Sequence, residues 1–270
     1  LIRRQRQMCI RDRSDMDTSP EAELIEILGI GLLKLDEIGL IAVTQGPGLI
    51  GSLMIGITFA KSLGFALKKP VIAVDHILAH LYAAYFSNRQ INFPSLGLVV
   101  SGGHTSMFLL NDFTDFKIIG KTRDDALGEA YDKVAKILNL GFPGGPVIEK
   151  RAARARKRKL NFTAPSVENS FDFSYSGLKT AVLYYTKKEE FLSEGLTDEI
   201  CYAFQEAALT SLIKQIENAV LKYKINSMLA GGGVIANKEL RKKLAELELA
   251  LYLPEMEFCS DNAGMVAGLG

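Results

Sequence analysis

The chain has 270 residues, a formal net charge of +1, 48% hydrophobic residues and 23% charged ones. That is enough apolar material for a large buried core, divided between two lobes rather than gathered in one unit. The near-zero balance excludes a globally basic nucleic-acid binder and leaves only a local patch to meet a polyanion. Cys9, Cys201 and Cys259 are widely spaced with no CxxC pair, which argues against a disulfide framework or a thiolate zinc knuckle and for a reducing, cytoplasmic setting.

The first thirteen residues hold five arginines and no apolar periodicity. They read as a non-native or disordered leader, with a basic arm as the functional alternative. From Ser19-Pro20 the spacing of Ala22, Leu24, Ile25, Ile27 and Leu28 predicts an amphipathic helix with Pro20 in its first turn. Ile38 to Thr44 reads as a buried strand. Gln45-Gly46-Pro47-Gly48 then opens a helix to about Lys68, and that turn is either close helix-strand packing or a phosphate-accepting helix start. The Leu49 to Leu67 stretch is apolar but interrupted by Gly51, Ser52, Gly56, Thr58, Lys61, Ser62 and Gly64, so it reads as a buried helix and no membrane span is expected. Val71 to Val74 is the next strand.

His76 to Phe86 reads as a helix carrying two of the three histidines. His76 and His80 are four apart, which places both imidazoles on one helix face, where they can grip one metal ion or serve separately as a cap and a groove filler. The polar stretch Ser87 to Ser95 marks the crossing between lobes. Leu96 to Val100, the turn Ser101-Gly102-Gly103-His104-Thr105 and Ser106 to Leu110 predict a hairpin whose bare amides could cradle a phosphate. Phe116 to Lys121 is a third strand. Gly128 to Leu138 reads as a helix with Glu129, Asp132 and Lys133 on one face, and Gly141 to Pro146 as a compact turn. Seven cations between Lys150 and Lys159 form either a solvated helix face or a patch for a phosphate backbone. Thr197 to Tyr223 is a long helix. A strand at Ser227 to Ala230 enters Gly231-Gly232-Gly233, a geometry that lets a base or ribose lie against the backbone, and Lys238 to Leu247 follows as a helix. Asp261 and Asn262 stand at a last helix start, where Asp261 reads as an N-cap.

Eight collinear motifs, Thr44 to Leu49, His76 to His80, Val99 to Thr105, Thr122 to Lys133, Pro143 to Pro146, Phe171 to Lys179, Gly232 to Asn237 and Ser260 to Asn262, resemble the family of tRNA adenosine threonylcarbamoyltransferases, once described as O-sialoglycoprotein endopeptidases. The resemblance covers about Gly39 to Leu269. It implies an α/β chain of the actin-like ATPase and sugar-kinase fold, with two ribonuclease-H-like lobes. It implies transfer of a threonylcarbamoyl group from threonylcarbamoyl-adenylate to N6 of adenosine 37 in tRNAs reading ANN codons. By the same resemblance His76, His80 and Asp261 hold one divalent metal ion, iron ahead of zinc, while Val99, Val100, Ser101, Gly102, Gly103, Asp132, Gly145, Glu149 and Asn237 face the adenylate. Glu149 stands where relatives carry Asp. No general base is assigned; His104 is either a proton carrier or a hydrogen-bond donor. The implied partners are tRNA, threonylcarbamoyl-adenylate, a paralogous dimerisation partner and a small ATPase subunit. No Glu-Thr-Ser-Cys-Asp type strand-turn precedes Thr44, so the chain reads as a fragment: 1–13 leader, 14–95 remnant of the first lobe with the metal-binding helix, 96–252 second lobe, 253–270 return segment with the third ligand. Bare sheet edges are the expected consequence.

Three rivals are weighed. A zincin needs Glu within its His-Glu-x-x-His run, and positions 77 to 79 are Ile, Leu and Ala. A small-molecule kinase of the same fold would transfer a γ-phosphate with no need of tRNA. A non-catalytic paralogue acting as a scaffold has no reason to keep His76, His80 and Asp261 together, although the fragment character of the chain leaves a non-catalytic fragment or scaffold as the alternative.

Overall fold

The computed structural model describes residues 37–270 apart from 89, 166 and 168. The leader, the helix expected after Pro20 and Cys9 lie outside the described residues. Two sheets are present. The smaller pairs β1 (Ile41–Gly46) with β2 (Val71–Asp75) in parallel, joined by α1 (Ile50–Leu67). The larger has five strands in the order β5 (Phe116–Lys121), β4 (Thr105–Leu110), β3 (Ser95–Val100), β6 (Ser227–Gly231), β7 (Ala250–Tyr252). Its β3–β4 and β4–β5 pairs are antiparallel, whereas β3–β6 and β6–β7 are parallel. This hairpin-plus-crossover order is the ribonuclease-H-like lobe that the resemblance implies. All six residues of β3 are buried, as a central strand covered on both faces requires.

Helices cover the large sheet unequally. On one face α3 (Leu127–Ile137), α4 (Gly144–Ala152), α5 (Ser176–Thr186), α6 (Glu194–Tyr223) and α7 (Lys238–Ala245) bury the main core. At its centre the Phe204 ring meets Tyr131 edge to face at 5.0 Å, both side chains inaccessible to water. Among the described residues the opposite face takes a single helix, α2 (His76–Ser87), through Ile77 and Leu81 packed on Val99, Phe108 and Leu229. The other flank of α2, Ala79 and Ala83, packs with Val74 and with Met265 of α8 (Ala263–Leu269). α2 is thus wedged between the two sheets, and its register fixes where both histidines stand.

α1 departs from expectation. It was expected to be buried, yet only Ala60 and Gly64 are, while Ile50, Ile55 and Phe65 are 79%, 75% and 89% exposed. Its apolar residues run round the whole cylinder, and β1 and β2 can cover only one stripe of it. Among the described residues it is also the one helix long and apolar enough to cross a membrane by length and composition; Lys61 within it would make burial in lipid costly. The charge run differs too: α4 ends at Ala152, so the cations beyond it lie on a loop rather than along a helix face. That loop is tied down by Glu199, whose Oε1 accepts the backbone amides of Lys159 and Leu160 at 2.9 and 3.0 Å.

Candidate functional site

Asp75 sets the start of α2. Its Oδ1 accepts the amides of Ile77 and Leu78 at 2.9 Å each, an N-cap arrangement that supports the helix by about 1 kcal/mol. One turn apart on that helix, the His76 and His80 rings lie 4.7 Å centroid to centroid. Asp261 reaches them from the far end of the chain, its Oδ1 3.6 Å from His76 Nε2 and 3.2 Å from His80 Nε2. One ligating atom from each of the three falls within 4.8 Å of the others. The N-cap role open to Asp261 belongs instead to Asn262, whose Oδ1 accepts the Met265 amide at 2.8 Å. Asp261 is therefore spare for a ligand.

The residues present fit a divalent cation. His80 is fully buried, and neither of its ring nitrogens has a hydrogen-bond partner; the 3.2 Å approach to Asp261 lacks hydrogen-bond alignment. An unpartnered buried imidazole costs free energy that coordination would recover. Burial, followed by the neighbouring His80, pushes the His76 pKa below 6.5, which favours the neutral, ligating form. Contact with His80 holds the Asp261 carboxyl below its usual range in spite of partial burial, which favours the carboxylate. His104 joins this field: burial, then His80, lowers its pKa as well. The backbone amide of His104 donates to Ser101 Oγ at 3.1 Å, holding the hairpin turn.

The glycine turns divide into two kinds. A Cβ on Gly231 would collide with the His80 carbonyl oxygen, and one on Gly232, at φ +100°, with that of Val100. These two glycines let α2, β3 and β6 converge. Gly102, Gly103, Gly145 and Gly233 have open space where a Cβ would stand, and they leave backbone free for a ligand.

The other residues expected at the adenylate are placed as follows. Val99 and Val100 are buried strand residues, so only their backbone can serve. Asp132 Oδ1 accepts the Gly144 amide at 2.7 Å and fixes the start of α4. Asn237 caps α7 through Leu240 N at 2.9 Å and donates to Gln205 at 3.0 Å. Glu149 Oε1 accepts the Lys238 amide at 2.7 Å. Beside Glu149 opens a groove of about 640 Å³, lined in part by Lys150, Lys238 and Lys242, with Arg158 stacked 4.5 Å over Tyr202. Sequence reasoning missed these side chains as a group, because α4, α6 and α7 meet only in three dimensions. It also missed Arg241, which donates to the carbonyls of Ile235 and Pro254 at 2.8 and 2.6 Å.

A family model described as tRNA N6-adenosine threonylcarbamoyltransferase matches residues 24–268. Proteins of that description from Chlamydia caviae and Kosmotoga olearia are 49% and 45% identical to this chain, covering 88% and 90% of it and 72% and 74% of their own lengths. One from Borrelia duttonii is 48% identical over 88% of this chain and 71% of its own. Among solved structures, HypF of T. kodakarensis matches with a TM-score of 0.67 at 14% identity, over 93% of this chain and 43% of that one. Identity so low speaks for the fold alone, which is the actin-like ATPase and sugar-kinase fold.

Proposed function

The chain belongs to the family of tRNA N6-adenosine threonylcarbamoyltransferases, and from that premise we propose that it transfers a threonylcarbamoyl group from threonylcarbamoyl-adenylate to N6 of adenosine 37 in tRNAs reading ANN codons. One observation carries the reading: a family match over 24–268 in a chain that brings His76, His80 and Asp261 together. In this reaction the N6 nitrogen attacks the carbamoyl carbon, the bond to the phosphate oxygen breaks, AMP leaves and the amine gives up a proton. The donor is already activated, so the protein has chiefly to position it and stabilise developing charge.

His76, His80 and Asp261 would hold the metal, which when bound supplies positive charge that orients and polarises the donor oxygens. Two imidazoles and a carboxylate suit iron or zinc; we place iron first by family. Amides of Ser101, Gly102, Gly103 and Gly145 hold the phosphate side of the adenylate, supported by the open space above the three glycines. Asp132 keeps the Gly145 turn in place through Gly144, Asn237 fixes the turn after Gly233, and Glu149 reaches toward the ribose beside the Lys150 and Lys238 groove. The first lobe spans 14–95, the second 96–252, and 253–270 returns to the first. A paralogous protein partner and a small ATPase subunit join the assembly, and the setting is cytoplasmic.

The test supplies threonylcarbamoyl-adenylate, an unmodified ANN-reading tRNA and the partner proteins, and looks for the modified nucleoside by mass spectrometry. Product from the wild type and a loss of at least 100-fold in His76→Ala is expected, since a missing metal ligand removes both orientation and charge. Equal product from both would sink the metal assignment.

A further inference from the structure

Asp261 is an odd ligand. Its side chain is 77% exposed and lies 3.6 and 3.2 Å from the two imidazoles, so its position depends on the path of the chain that delivers it. That path has fixed points. Cys259, two residues earlier, is 1% exposed. On the α2 side, Asn88 Nδ2 donates to the Leu253 carbonyl at 3.2 Å, the Glu255 amide donates to Ser87 Oγ at 3.1 Å, and Phe258 packs edge-on against Phe86 at 5.3 Å. On the other side Leu253 and Cys259 pack into the main core, and Arg241 bonds to the same segment.

Arg241 spends its guanidinium in an unusual way. Nε donates to the Ile235 carbonyl at 2.8 Å, while one terminal nitrogen donates to the Pro254 carbonyl at 2.6 Å and sits 3.2 Å from Cys259 Sγ. None of the ion pairs among the described residues uses it. A guanidinium is a rigid planar fork that can bond to several acceptors at fixed angles, which an ammonium cannot do. Ile235 belongs to the 3-10 turn Gly233–Ala236 that follows the triglycine. Pro254 and Cys259 bracket the short 3-10 turn Met256–Phe258 that leads to Asp261. One side chain thus ties the turn beside the glycine cradle to both ends of the segment presenting Asp261.

The geometry points to Arg241 as a positioning residue of the metal site: its fork clamps residues 254–259 to the Gly233–Ala236 turn and so sets where Asp261 stands relative to His76 and His80. This rests on the metal reading above. Arg241 touches neither ion nor donor, and it acts on the site through the backbone it holds. A residue of this kind, one step removed from the ligands, typically changes metal affinity by about 10- to 100-fold.

The probe is Co²⁺ alone, titrated into the purified full chain and followed by its d–d absorption, with thermal unfolding of each variant in parallel. Wild type, His76→Ala, Arg241→Met and Arg241→Lys are compared. Methionine keeps the apolar stem and drops the fork; lysine keeps the charge but spans fewer acceptors. Expected results are near-complete loss of binding in His76→Ala, a weakening of about tenfold with an altered spectrum in Arg241→Met, and no return to wild-type affinity in Arg241→Lys. Should Arg241→Met fail to fold, Arg241→Lys decides the matter. Wild-type affinity and spectrum in either folded Arg241 variant, with binding lost in His76→Ala, overturn the clamp and leave the metal site standing. Wild-type binding in His76→Ala overturns the metal reading and the clamp together.

Discussion

The two longest helices among the described residues, α1 and α6, run against what their compositions suggest. α1 has a mean hydropathy of 1.6 yet buries two of its 18 residues, whereas α6, studded with charges, buries thirteen of 30. α6 lies among α4, α5 and α7 on a five-stranded sheet, and even Glu199 and Gln205 of it are buried because each meets a hydrogen-bond partner. α1 has mainly β1 and β2 for described neighbours. Apolar content measures what a helix can bury; neighbours decide what it does bury. The second lobe therefore carries the stability, and the β1–α1–β2 unit carries a surface.

That contrast can be broken or sharpened by measurement. The largest effect belongs to the lobe core: Phe204→Ala removes a fully buried ring packed edge to face against Tyr131. It should cost about 3–5 kcal/mol, read as a fall in the urea midpoint, and a cost below about 1 kcal/mol would refute the division.

Next come the carboxylates that tie the helices to the sheet. Asp125 bonds Lys133 and Lys179 at 2.5 and 2.8 Å, and Asp125→Asn should cost about 1.5–3 kcal/mol. Burial raises the pKa of Asp124, Asp125 and Asp172, but hydrogen bonds and lysine or arginine partners outweigh it, so all three lie below 3.8. Their contribution is then fully present above 3.8, the value for an unfolded carboxyl, and is lost as pH falls through the lower folded values. Circular dichroism from about pH 5 to about pH 2 should show the lobe losing stability over that acid limb; in Asp125→Asn the limb should be shallower.

Gly231→Ala tests the joint between the two regions, since its methyl meets the His80 carbonyl. A cost of about 1–3 kcal/mol is expected, together with weakened Co²⁺ binding as α2 is pushed off the sheet. The smallest effect on folding should come from α1. Ile55→Ser with Phe65→Ser should shift stability by under about 0.5 kcal/mol while visibly reducing self-association in sedimentation velocity. Unfolding of this double variant would show that α1 has a buried role.

Much of this was readable from sequence. The hairpin β3–β4 and strand β5 follow from apolar runs broken by glycine turns, and the histidine pair follows from a four-residue spacing on a helix. Asp261 came only through the family resemblance, because no local rule links residues joined by a chain excursion through an entire lobe. The exposure of α1 was illegible for a different reason: helical periodicity reports an apolar surface but not what lies against it. Of the two readings of the basic run from Lys150, the helix face fails because α4 stops at Ala152 and the loop beyond it is held by Glu199, a partner on a distant helix. The triglycine was read as a ligand platform, yet Gly231 and Gly232 are spent on packing.

The order of His76, His80 and Asp261 along the chain has a consequence for biosynthesis. His76 and His80 leave the ribosome early, and Asp261 only after the whole second lobe. Bringing it back closes a very long loop, which is unfavourable until the intervening lobe has folded and brought its ends together. A three-ligand site thus forms last, and a metal that needs all three will discriminate finished chains from stalled or misfolded ones.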